Sequence, residues 1–486
     1  MWSTPEAAPP SARLGWSALL AVSGMVLALT AIGRAGWLLY LFPPLCIGLG
    51  LILVRRPAAF IVFTLGVWVW APFVRRIVDW QTEYHQLSSI LATPTVLTGL
   101  AFLGVGAWRT GLARAPGFAM LGLPLAWALA VGFLNNGIVP AAYALLAWAG
   151  PALFGLYVLG AREREPGLEA TVLGGLALLA FGASIYGIAQ FVEPGMWDRR
   201  WMINSGMPVL GEPLPFRVRV FGPLNSPVPF AAVMVAGIIA AILDPRPWRW
   251  FLAPTMLVAL LLSLVRSEWL ALAIGMTAVA LVAGVASIGR VVRMFAVVPL
   301  VFALGLPLLA YEPIQRAVVS RVESFRAGSS DVSLRDRLIL YQTITFEEPI
   351  LGKGLGSTDN ATRLGSGNGR LDPKHGTVDS ALIQLATSYG IPMAVAFLAV
   401  LAWLATAAVV AGRRSSAGLA GLAIVAASLS QLPSYNMLIS AAAVLLYFGL
   451  GLSLPVRSSA TTAAEEELEA STFPDEFAPG AGLRRT

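Results

Sequence analysis

An all-α, polytopic membrane protein is the fold class this sequence predicts, and three observations predict it. Most of the 486 residues lie in apolar stretches of the length a bilayer demands of a helix, about 20 residues. The chain is 57% hydrophobic and only 12% charged, with a mean hydropathy of +0.75, whereas a soluble domain carries about a quarter charged residues. The apolar series has one long break, the polar, arginine-rich segment from Tyr311 to Val378.

Reading apolar runs between polar breaks gives about 14 candidate helices, or about 12–14 spans if two short neighbours form one re-entrant element. The first, 16–32, follows Arg13. No convincing cleavage site comes after it and Arg34 stands close behind, so it reads as a retained helix rather than a signal peptide. Spans 37–54, 58–74, 89–108, 116–134, 138–159 and 168–191 follow, each bounded by charged or Gly/Pro breaks. A polar loop from Glu193 leads to 227–243, then 250–265, 269–288 and 291–310. After the long break come 380–410, 417–430 and 437–454.

This divides the chain into a membrane bundle (1–310), a long loop with short amphipathic helices (311–378), the last membrane helices (379–456) and a tail (457–486). The tail's Ser, Thr, Ala and Glu465–Glu469 cluster read as solvated and disordered.

Alternate loops carry Arg13, Arg55-Arg56, Arg109 and Arg114, Arg162 and Arg164, Arg246 and Arg249, Arg290 and Arg293, Arg413-Arg414 and Arg457. By the positive-inside rule these are cytoplasmic, which puts both termini inside and the long loop outside. The opposite loops should be poor in Arg, yet Arg75-Arg76, Arg199-Arg200, Arg217, Arg219, Arg266 and several residues of the long loop map there. Salt bridges to Asp79, Glu83, Glu193, Asp198, Glu268 or Glu323 explain any one of them. For the whole set an anionic ligand is the better explanation, because guanidinium forks match phosphate oxygens. The spans themselves are almost free of charge, which weakens a transport reading. Cys46 is the sole cysteine and His85 and His375 the sole histidines. No intrachain disulfide is possible, and no metal or other cofactor is expected.

Four segments carry candidate chemistry. In Phe216–Pro227, Arg217 and Arg219 alternate with Val and would share one face of an extended strand, while Asn225 and Ser226 can cap the next helix. An ordinary cap with interfacial arginines and an anion site at the helix N-terminus fit these residue types equally. In Leu264–Trp269 a very tight turn fixes Arg266 at the surface, either snorkelling beside Glu268 or clamping a phosphate. In the long loop, Ser333-Leu334-Arg335-Asp336 opens a helix from 334 to 347 flanked by Arg335 and Arg337. The glycines of Pro349–Gly356, around Lys353, suggest a turn packed close to something. The segment follows no strand and lacks the Lys-Ser/Thr of a P-loop, which excludes nucleotide binding. Finally, Lys374–Ser380 leads into a helix. Asp379 by position is an N-cap; alternatively Asp379 or His375 is a general base.

With these motifs in place, the chain resembles the O-antigen ligase and polysaccharide polymerase superfamily of bacterial membrane glycosyltransferases, over about Phe216 to Tyr389. Arg217/Arg219, Gly222 and Asn225-Ser226-Pro227 look like the family's Arg, Gly and Asn-Pro-like element, and Arg266 to Trp269 like its Ser-Arg-Gly turn, with Val265 in place of Ser. Arg337, Tyr341 and Pro349–Gly356 look like its Arg-aromatic and Gly-x-Gly-x-Gly element, and Asp379–Gly390 like its His-Asn-x-Tyr-Leu helix. Asp379 and Ser380 stand where the ligase branch carries His and Asn, which favours the polymerase branch.

The resemblance implies a GT-C-like bundle in the bacterial inner membrane with a periplasmic active site, and a metal-independent, inverting polymerase of undecaprenyl-diphosphate-linked oligosaccharide units. Arg217, Arg219, Arg266, Arg335 or Arg337, Asn225 and Lys353 would bind donor diphosphate and substrate; Asp379 or His375 would activate the acceptor. Donor and acceptor lipids, the bilayer, a flippase and a chain-length regulator are the expected partners, and no nucleic acid. A ligase using the same donor, and a lipid-oligosaccharide flippase, are the alternatives.

Overall fold

The computed structural model describes residues 10–244, 246–283, 312, 315, 350–365, 380–413 and 415–455. Among them the protein is all-α, with a single isolated bridge between Gly211 and Val218 in place of any strand. Among the described residues eight helices are long and apolar enough to cross a membrane, nine if one sharply bent pair counts as a span, and four more apolar helices are shorter. It is a multi-pass membrane protein.

In chain order the helices are α1 (Pro10–Ala31), α2 (Leu38–Leu53), α3 (Pro57–Gln81), α4 (Ser89–Gly99), α5 (Val105–Arg114), α6 (Gly117–Met120), α7 (Gly122–Asn135), α8 (Ile138–Ala161) and α9 (Leu168–Val192). They continue with α10 (Met196–Ser205), α11 (Pro227–Leu243), α12 (Ala253–Ser263) and α13 (Arg266–Ala283). After the long loop come α14 (Ala361–Gly365), α15 (Ala381–Tyr389), α16 (Ile391–Gly412), α17 (Ser416–Ser430) and α18 (Ser440–Ser453).

Two buried clusters form the core. The larger gathers α1–α5, α9 and α11–α13; the other gathers α6, α7, α15 and α16; α8, α17 and α18 contribute to both, and a small third cluster joins Trp201, Met202, Leu210, Val218 and Phe221. Small residues let these helices meet at backbone distance. A Cβ on Gly421 of α17 would stand 2.5 Å from the Gly449 carbonyl of α18, and one on Gly449 would stand 2.8 Å from the Gly421 carbonyl. Water-driven burial does not hold helices together in lipid, so close van der Waals packing of this kind does much of it.

Three helices differ from the spans expected of the sequence. The stretch 89–108 bends by 78° at Gly104, and its second half, α5, packs along α8. The stretch 380–410 is two helices: Gly390, at φ 74°, turns the chain, and Pro392 starts α16 where its missing N–H costs nothing. Most consequentially, α3 does not stop at Val74. It runs on for two more turns and takes Arg75, Arg76 and Asp79 into the protein, so these arginines are not loop residues. Their charges find partners inside, which removes the reason for the helix to end.

Candidate functional site

The site is built at the end of the bundle where α3 stops and α13 starts. Its foundation is Arg76, which is 0% exposed. The guanidinium donates to Asp198 of α10 and, at 2.6 Å, to the Gly222 carbonyl. Phe73, Tyr186 and Phe221 surround it, with ring centroids 4.9–5.9 Å away. Asp198 also accepts from the Tyr186 hydroxyl at 2.6 Å. Gln190 of α9 receives the Phe221 and Gly222 amides at 3.2 and 3.0 Å. The loop before α11 is therefore pinned from below by groups that compensate one another, as buried charge requires. Arg75 pairs with Asp79, one turn on.

On that base Arg217 and Arg219 part company. Arg217 pairs with Glu212 at 2.7 Å, both well exposed. Arg219, half-buried, donates to the Ser263 and Leu264 carbonyls at 3.3 and 3.2 Å, where α12 ends without helical partners for those oxygens. Ser226 occupies the cap position of α11 in extended backbone, but its side chain bonds to none of the first-turn amides. The buried Oδ1 of Asn225 has no hydrogen-bond partner.

The turn between α12 and α13 is as tight as the sequence suggests. Leu264 takes φ 58°, and α13 starts at Arg266. Arg266 is exposed. It does not pair with Glu268, which is buried and forms no ion pair among the described residues. From this turn a chain of bonds runs to the start of α15. Gln431 Nε2 donates to the Ser267 carbonyl at 2.7 Å. The Leu432 and Tyr435 carbonyls of the same turn receive the Ala381 amide at 3.0 and 3.2 Å. Ser380, beside Asp379 in sequence, caps α15 by accepting from the Ile383 amide.

Lys353 and its glycines fill the groove on the other side of α15. The Lys353 and Gly354 amides donate to Thr387 and Ser388, Leu355 donates to Ala128 of α7, and Asn136 Nδ2 donates to the Lys353 and Leu355 carbonyls at 2.9 and 3.0 Å. Gly352, Gly354 and Gly356 all have positive φ, and a Cβ on Gly354 would overlap the backbone of α7 at Gly132. The close packing expected of these glycines is present, and its partners are α7, α8 and α15.

Next to this segment lies a buried polar cluster that sequence reasoning missed. Asp359 Oδ2 accepts from Gln384 Nε2 of α15 and from Asn436 Nδ2 at 3.2 Å. Gln384 also reaches Thr358 Oγ1 at 3.2 Å. Gln384 and Asn436 are buried, and their amide oxygens, Oε1 and Oδ1, have no partner. Both unpartnered oxygens thus belong to amides that are bonded to the same carboxylate. The signal was faint: a lone Gln and Asn among apolar helices, on either side of the Gln431–Tyr435 turn. Arg75 and Arg76, expected in an outer loop with either salt bridges or an anionic ligand, take the salt bridges, to Asp79 and Asp198, from within α3.

Of the residues expected at the site, Arg217, Arg219, Asn225, Arg266 and Lys353 are described. Arg335, Arg337, His375 and Asp379, with the expected helix 334–347, lie outside the described residues, as does most of the loop 311–378. Among the described residues no three His, Cys, Asp or Glu side chains gather as a metal set. The chain matches no protein-family model, and no curated protein matches it significantly in sequence.

Proposed function

We propose that the protein is a membrane glycosyltransferase that joins oligosaccharide units carried on undecaprenyl diphosphate, at the periplasmic face of a bacterial inner membrane with both termini in the cytoplasm. The observation that carries this reading is the bonded path from the Arg266 turn through Gln431 to the cap of α15. It ties the exposed arginine best suited to a lipid diphosphate to the residue that follows Asp379. Elsewhere in the described residues Arg162 pairs with Glu169 and Arg249 with Asp244, each arginine held by a carboxylate of its own.

In this reading Arg266 holds the diphosphate, and the loop pinned by Arg76 and Arg219 keeps the turn in place. Arg217 and Arg335 or Arg337 extend the anion site. The cluster of Gln384 and Asn436 beside Asp359 receives hydroxyls of the acceptor sugar. Asp379, or His375, takes the proton as the acceptor oxygen attacks the anomeric carbon. The bond from that carbon to the diphosphate breaks, the electron pair leaves with the lipid diphosphate, and the anomeric centre inverts. Cations aimed at the leaving oxygens stabilise the charge that develops there.

The test uses purified protein with a short undecaprenyl-diphosphate oligosaccharide and products resolved by length. A ladder that disappears in Arg266→Ala, with the variant still inserted and accumulated, supports the polymerase. Transfer only after lipid A core is supplied makes the protein a ligase on the same donor. No turnover with either acceptor overturns the glycosyltransferase reading and directs attention to lipid flipping in vesicles.

A further inference from the structure

Glu268 lies on the first turn of α13, is 2% exposed, and faces a cavity between α13, α11, α17 and α18. The cavity is small, with room for one water-sized occupant. Its walls are apolar (Val235, Ala236, Ile424, Ala427 and Leu445), and Ser428 brings the one other polar side chain. Glu268 Oε1 has no hydrogen-bond partner. No titratable or charged side chain faces it from α11, α17 or α18 among the described residues. On its own helix Arg266 is two residues back and exposed.

Three things can neutralise a buried carboxylate: a cationic side chain, a metal ion or a proton. The first is missing among the described residues. The second needs a shell of oxygens, about 6–8 for Ca²⁺, and the side chains here offer one carboxyl and one hydroxyl. An isolated carboxylate left charged in such surroundings costs so much that the group takes up a proton instead. We infer that Glu268 is a proton-binding site, held as the neutral acid in the folded protein, at the contact between α13 and α17 beside the Arg266 turn. Nothing in this depends on the diphosphate reading.

The other deeply buried carboxylates provide internal controls, because Asp79, Asp198 and Asp244 are paired with Arg75, Arg76 and Arg249. The full chain in detergent is treated with dicyclohexylcarbodiimide, an apolar reagent that adds to carboxyls still carrying their proton, and its peptides are mapped by mass. The expected result is one adduct on the Glu268 peptide, absent from Glu268→Gln, unaffected by sodium ions, with the Asp79, Asp198 and Asp244 peptides unmodified. In parallel, melting is followed from neutral to mildly alkaline pH. Wild type should lose stability relative to Glu268→Gln as pH rises, because the folded state holds a proton that the unfolded state gives up. Protection by sodium would assign the carboxylate to a metal cation and overturn the proposal. So would an unmodified Glu268 whose melting profile matches that of Glu268→Gln.

Discussion

Gln431 Nε2 donates to the Ser267 carbonyl at 2.7 Å, and this contact joins the start of α13 to the turn between α17 and α18. The same turn receives the Ala381 amide, so α13 and α15 are held to each other through Gln431 and its neighbours. A single interhelical hydrogen bond in a membrane protein contributes about 0.6 kcal/mol, rarely above 1.7. Gln431→Leu should therefore leave the protein folded, with a melting midpoint lowered slightly. Its product yield should fall much further than its stability, because the Arg266 turn loses its register with α15. Equal, small changes in both would show that the contact is a brace and no more.

Arg76 is a different case. Removing one partner from a buried ion pair leaves the other charge stranded, at a cost of about 3–5 kcal/mol. Arg76 also carries the Gly222 carbonyl. Arg76→Ala should abolish accumulation of folded protein, and Asp198→Ala should do nearly the same. Arg217→Ala, which breaks an exposed pair with Glu212, should cost less than about 1 kcal/mol. Detergent-solubilised yield and melting midpoint read all three.

How much of this was legible in the sequence follows from what each signal encodes. Hydropathy reports transfer into lipid, so the spans stand out; 227–243 is found in the structure with the same limits as read from the sequence. Hydropathy says nothing of charge that is neutralised within the protein. For that reason α3 was cut short at Val74, before Arg75 and Arg76, although Asp79 one turn after Arg75 was the available hint. The break at Gly390 was written in Gly-Ile-Pro, yet a Leu- and Ala-rich run on both sides outweighed it. The cluster of Asp359, Gln384 and Asn436 was illegible for another reason. Its members lie 25 and 77 residues apart along the chain, and only tertiary packing brings them together.

Gly354 tests the packing of the loop against the bundle. Its φ is +83°, and an added Cβ would run into the α7 backbone at Gly132. The backbone strain alone costs about 1–3 kcal/mol, and the overlap cannot be relieved by turning a side chain. Gly354→Ala should free the Lys353–Leu355 segment from α7 and α15. Limited proteolysis at that segment should then be faster than in wild type while the helices stay protected.

The cluster around Asp359 offers a test that separates acceptor binding from donor binding. Gln384 and Asn436 each give an N–H to Asp359 and keep an unpartnered oxygen. If those oxygens receive acceptor hydroxyls, Asn436→Ala removes one acceptor and loosens the carboxylate. The Michaelis constant for the acceptor lipid should rise by roughly tenfold, the loss of a hydrogen bond worth about 1.4 kcal/mol. The constant for the donor should hardly move. Arg266→Ala should do the reverse, because an arginine at a developing phosphate charge acts on the donor and on turnover. Kinetics with donor and acceptor varied independently distinguish the two. Were Asn436→Ala to weaken donor and acceptor alike, the cluster would be a structural network supporting α15, and the sugar would have to be bound elsewhere.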